Sequence, residues 1–219
     1  MTLQPPASIW IASLSLVVAL ASFFVSYRTQ QLSVADELAV RISIPHASSP
    51  IQISSTEFGL MGTLVTVSVD FTLTNTGNRK LSVTRYEVYA LSTSGGKIFY
   101  SGIDGGLVDA KGNPLHLPLT LDIGESANGF VRIGMLADSA AVRTLQASNP
   151  TTSIARHELD LALAKQGIDL FGNKVTLNQF SGGSYSIVGP GPEGKSPRVV
   201  VVFQTGKGAI ALHEAAWYP

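Results

Sequence analysis

From Leu64 to Leu91 the chain reads LVTVSVDFTLTNTGNRKLSVTRYEVYAL. Val65, Val67, Val69, Phe71 and Leu73 are apolar at every second position, and Thr66, Ser68, Asp70, Thr72 and Thr74 fill the gaps. A period of two is the mark of a strand with one buried and one wet face, so Val69 and Phe71 are expected in a core. Asn75-Thr76-Gly77-Asn78 follows, residues that tolerate a positive φ and let the chain reverse. A second β-rich run, Leu81 to Leu91, comes next. The pair reads as one long hairpin at the centre of an antiparallel sheet.

The rest of the chain extends this pattern. Leu38 to Ile44, Ile51 to Ser54, Lys97 to Ser101, Leu115 to Leu121 and Gly129 to Met135 read as strands. So do Lys174 to Asn178, Ser184 to Val188, Arg198 to Gln204 and Ala209 to His213, about ten strands in all. Gly112, Gly124 and Gly172 sit in short polar clusters expected to be turns. Asp138 to Gln146 is expected as a short helix with Asp138 as its N-cap. Ala155 to Ala164 is ambiguous. Its Leu159, Leu161, Leu163 alternation favours a strand, while its Ala, Leu, Glu and Lys content with Gly167 as a stop favours a helix; the alternation decides for strand. Gly102-Ile103-Asp104 before Gly112-Asn113 echoes Gly167-Ile168-Asp169 before Gly172-Asn173. The spacings differ, which fits reused turn chemistry and not a repeat.

At the N-terminus, Ala7 to Tyr27 carries no charge, and Arg28 closes it. As a helix rising about 1.5 Å per residue it would span roughly 30 Å, the thickness of a hydrocarbon core. It is expected to be a transmembrane helix over 7–28, after a tail at 1–6 and before a linker at 29–37. A cleaved signal peptide is the competing reading, since Ala19-Leu20-Ala21 offers a small-x-small site. The absence of Lys or Arg before Pro6, and the apolar Phe23, Phe24 and Val25 beyond that site, speak against it. Arg28 and Arg41 make the C-terminal flank the more basic, which puts the domain on the cytoplasmic side of a cell membrane crossed once. Ser8, Ala12, Ser15, Ala19, Ser22 and Ser26 form a stripe of small residues on one helical face. Such a stripe lets helices approach closely, so self-association or contact with another helix is expected there.

Chemistry is poorly signalled. Gly189 to Ser196, GPGPEGKS, matches the letters of a phosphate loop. Pro190 and Pro192 have no N–H to give an anion, and Arg198 to Phe203 after it is a β-branched run, not a helix. It reads as a Pro/Gly loop between strands, with no nucleotide bound. His46, His116, His157 and His213 lack ligand spacing, and Asp104 to Asp109 lacks the alternating ligands of a calcium loop and reads as a turn. No Ser lies in G-x-S-x-G, and Ser126 precedes a strand. There is no Cys in the 219 residues, so neither a disulfide nor a thiolate is available. Basic and acidic residues balance at 15 each, which gives no electrostatic footprint for nucleic acid. The chain is expected not to be an enzyme, and no catalytic residue, metal or cofactor is assigned.

At NTGNRKLSVT (Asn75 to Thr84) the chain resembles a type of bacterial single-pass membrane-anchored protein with an immunoglobulin-like β-sandwich and no assigned function. Ser26-Tyr27-Arg28 at the end of the apolar segment and the turn Leu121 to Ser126 share in the likeness, which covers about residues 8 to 135. It implies a mainly β fold: a transmembrane helix, then an antiparallel immunoglobulin-like sandwich over 38–219 with one or two short helices and a subdivision open near 136–155. The expected function is a non-enzymatic, membrane-tethered interaction domain or accessory subunit of a membrane complex, with an unknown protein partner. The alternative is an extracytoplasmic sandwich that binds a glycan or an envelope protein.

Overall fold

The computed structural model describes residues 16–28, 37–43, 49–91, 96–148, 153–189, 194–195 and 197–217. Its elements in chain order begin with helix α1 (16–28), then β1 (Leu38–Ser43), β2 (Pro50–Glu57), β3 (Thr63–Asn75) and β4 (Leu81–Leu91). Next come β5 (Lys97–Ile98), β6 (Asp104–Asp109), β7 (Leu119–Leu121) and β8 (Ser126–Ala137). Helix α2 (Ser139–Ser148), β9 (Ser153–Ala155), helix α3 (Arg156–Ala164), β10 (Thr176–Gln179) and β11 (Tyr185–Val188) follow, before β12 (Arg198–Thr205) and β13 (Ile210–Ala216).

The molecule is mainly β, with every strand pair antiparallel among the described residues. One sheet runs β6-β8-β3-β2-β9, with β1 beside β3; the other runs β13-β12-β4-β5, with β7 beside β4. The alternating residues of β3 do what their period requires. Val65, Val67, Val69, Phe71 and Leu73 are buried, with Val69 and Phe71 at 1% and 2% exposure. Across from them stand Val199, Val201 and Phe203 of β12, and the Phe71 and Phe203 rings meet with centroids 5.5 Å apart. Two sheets facing across one core fit a β-sandwich.

Several expectations need correction. The run Leu64 to Leu91 is not a hairpin. β3 pairs with β8, β1 and β2, whereas β4 pairs with β12, β5 and β7, so the chain crosses from one sheet to the other between them. Asn75 is not at positive φ either, since every described residue with positive φ is a glycine. Its side chain makes the turn instead: Oδ1 accepts the Gly77 N–H at 3.0 Å. Gly112, Gly124 and Gly172 do adopt the left-handed region, at φ of 84°, 71° and 78°.

Residues 156–164 are helical, not a strand. Leu159 and Leu163 are both fully buried, and a spacing of four satisfies a helix as well as a strand. What decides is the end. Gly167, at φ 76°, lets its own N–H reach the Ala164 carbonyl and the Ile168 N–H reach Leu163, which closes a Schellman cap. The expected helix after Asp138 forms: Asp138 Oδ1 accepts the N–H of Ala140 and Ala141 at 2.9 and 3.0 Å. Asp104 to Asp109, read from sequence as a turn, is the edge strand β6, irregular where Gly105 and Gly106 interrupt its register.

The transmembrane helix expected over 7–28 is also corrected. The described helix there, α1, covers 16–28 only, roughly 20 Å at about 1.5 Å per residue. No helix among the described residues is long and apolar enough to cross a membrane. Residues 7–15 lie outside the described residues, with Ser8, Ala12 and Ser15 among them. Ala19, Ser22 and Ser26 lie on α1, where every residue is exposed.

Candidate functional site

The two ends of the sheet pair differ. At one end the loops are tied shut by Asn75, whose side chain is wholly buried. Its Nδ2 donates to the carbonyls of Arg79, Leu121 and Asp122 at 2.8, 3.2 and 3.0 Å. Its backbone bonds the Gly124–Glu125 turn in both directions at 3.0 Å. This end is structural.

The other end carries the segment between β8 and β12. Here the chain turns from β2 into β3 through a 3-10 turn, Gly59–Met61, between two glycines at positive φ. At Gly62 (φ 119°) a Cβ would come within 2.2 Å of the Ala137 carbonyl oxygen, so only glycine fits. The turn holds Leu60 fully out in solvent and Met61 at 65% exposure. Thr63 and Ser139 hydroxyls, 3.0 Å apart, fasten it to the start of α2.

Facing the turn is a loop whose geometry the sequence repeats. Asp169 accepts the N–H groups of Phe171 and Asn173, both at 2.8 Å, and the Asn173 Nδ2 at 2.7 Å. Asp109 does the same for Lys111 and Asn113. Each loop is D-x-x-G-N, so the echo in the sequence is one of turn chemistry, with Asp109 and not Asp104 as the counterpart of Asp169. The Asn113 hydrogen bonds hold the Asp109 carboxyl below the ordinary aspartate range. In the second loop Asn173 also grips the backbone of Lys195, donating to its carbonyl and accepting its N–H, both at 2.7 Å. Phe171 packs edge-on against the buried Trp217 at 5.4 Å. The Arg156 guanidinium lies 4.5 Å from the Trp217 ring.

Between the turn, the start of α2 and this loop lies a cleft of about 520 Å³. Its walls include Leu60, Met61, Ala137, Phe171 and Pro197, and among the described residues its charged lining is Asp138, Arg143 and Lys195. Asp138 is committed to capping α2. Arg143 donates through Nε to the Ser139 carbonyl at 3.2 Å, which leaves its terminal N–H groups for another acceptor. Among the described residues no carboxylate forms an ion pair with Arg143 or Lys195.

A smaller cavity of about 200 Å³ lies on the other side of the Asp169 loop, lined by Asp160, Ile168, Val175 and Ile187 among others. Burial pushes the Asp160 carboxyl up, and Asp169 adds to this; Arg156, whose Nε is 3.5 Å away, opposes it. Tyr86 donates to Asp104 Oδ1 at 2.7 Å, a bond from one sheet to the other; burial and that bond both push its hydroxyl up. These groups hold the fold together.

Of the residues weighed from the sequence, His46 lies outside the described residues, and His116, His157 and His213 are not brought together with other ligands. The loop before β12 lies between β11 and β12 as expected, though 190–193 and 196 are outside the described residues. Sequence reasoning passed over Gly59-Leu60-Met61-Gly62. The only signal there is two apolar residues bracketed by glycines, too short to carry a period. No protein-family model matches the chain, and neither a curated protein nor a solved structure matches it. The likeness drawn from the turn motifs thus rests on those motifs alone.

Proposed function

We propose that this chain is a non-enzymatic interaction module, an accessory subunit that seats a protein partner in the cleft beside Leu60 and Met61. One observation carries the reading: two large apolar side chains are held out in solvent on a turn fixed at both ends, at the mouth of a cleft of about 520 Å³. Apolar side chains displayed on a fixed turn beside a concavity are the ordinary make-up of a contact site. The carboxylates nearby support binding over catalysis. Asp138 and Asp169 hold backbone N–H groups, and Asp160 faces Arg156. The two-sheet frame supports the immunoglobulin-like reading, in which loops at one end make the contacts.

Site-specific photocrosslinking tests this. A benzophenone side chain at position 60 or 61 is expected to capture one discrete partner in the native cells, and the pair, purified separately, to re-form the complex. The same group at Lys207, on the far turn between β12 and β13, should capture nothing in common with it. Equal capture from both positions, or none from 60 and 61, would remove the reading.

A further inference from the structure

The charges around the cleft say what kind of segment it takes, on the premise that the cleft is the contact site. The chain as a whole is neutral. Among the described residues the cleft is lined by two cations against one carboxylate, Asp138, whose Oδ1 caps the first N–H groups of α2. Arg143 is exposed and its Nε is held by Ser139, which fixes the side chain at its base and leaves the guanidinium edge to bond an incoming carboxylate. Lys195, also exposed, lines the same cleft. Its backbone is clamped by Asn173 at two distances of 2.7 Å, so its position does not have to be ordered on binding. The same lining holds Phe171, Pro197, Ala137 and the flexible thioether of Met61, a surface that accommodates varied apolar shapes.

From this arrangement we infer that the cleft binds an acidic peptide segment in which a bulky apolar side chain sits beside carboxylates. The apolar side chain enters against Phe171 and Met61, and the carboxylates reach Arg143 and Lys195. The concavity beside the turn, with its two cations, favours a peptide, which can enter it, over a flat lipid surface, which would meet only Leu60 and Met61. Charge complementarity of this kind sets the choice of partner and the rate of encounter.

The test uses the full chain and a fluorescein-labelled peptide of alternating glutamate and leucine, followed by anisotropy. Two controls replace the glutamates with glutamine or with lysine. The acidic peptide is expected to bind, the glutamine peptide about tenfold more weakly, and the lysine peptide not at all. Arg143→Glu and Lys195→Glu, both at exposed positions, should each weaken the acidic peptide about tenfold and leave the melting temperature unchanged. Arg143→Gln serves as the milder check on folding. Leu60→Ser should weaken the glutamate and glutamine peptides alike. Equal binding of all three peptides, no binding of any, or binding only to phosphatidylserine vesicles overturns the inference. The cleft itself survives such a result if position 60 still captures its partner; if that capture is also absent, both readings fall.

Discussion

Asn75 shows how much one side chain can hold. Its amide serves three carbonyls and one N–H from two separate stretches of chain, with no access to water. Replacing it with Ala strips those groups of their shared partner and leaves the buried Leu121 carbonyl without this donor, at a cost of about 3 kcal/mol. That corresponds to a loss of roughly 6–12 °C in melting temperature for a chain of this size, which calorimetry would show. Its place in a turn was legible in the sequence; its burial was not, because a polar residue in a polar cluster gives no sign of which loops close over it. Asp160 makes a prediction of opposite sense. Its carboxyl is raised above the ordinary aspartate value, mainly by burial. In the window just above that value the folded state therefore binds more protons than the unfolded state, and stability falls as pH rises. Asp160→Asn removes this slope. Its melting temperature relative to the native chain should climb as pH rises from about 4 towards 7. A parallel pair of curves would show that Asp160 ionises freely in the fold.

At the scale of elements, what could be read and what could not follow from range. β3 was legible because alternation is local and one face of it is buried throughout. α2 was legible because Asp138 announces its start. α3 was misread because Leu159 and Leu163 satisfy both periods, and only Gly167, beyond its end, separates them. The supposed hairpin failed for another reason. Turn residues tell that a chain reverses, not whether the second strand pairs with the first or passes to the opposite sheet. The partner that claims β4 is β12, with Tyr86 opposite Phe203, and nothing near Leu81 to Leu91 signals it. The cleft was invisible for the same reason: its walls come from the turn before β3, the start of α2, the Asp169 loop and the chain before β12.

For the molecule as a whole, the division of labour between its ends follows from chain order. The Asn75 end is built from short connections that bond one another. The other end receives everything between β8 and β12, two helices and a separate two-stranded ribbon. The same order shapes how the protein is made. β4 is synthesised long before β12, the strand that covers its long side. Until then only the short β5 and β7 can pair with it. On a ribosome adding about 5–20 residues per second, β4 waits for seconds with an open edge and an apolar face. A chain ending at Gly189 should accordingly be recovered as aggregate or bound to chaperones, while the chain completed through Trp217 stays in solution. Any product cut short before Arg198 leaves that edge of β4 unpaired, a template on which another chain can add.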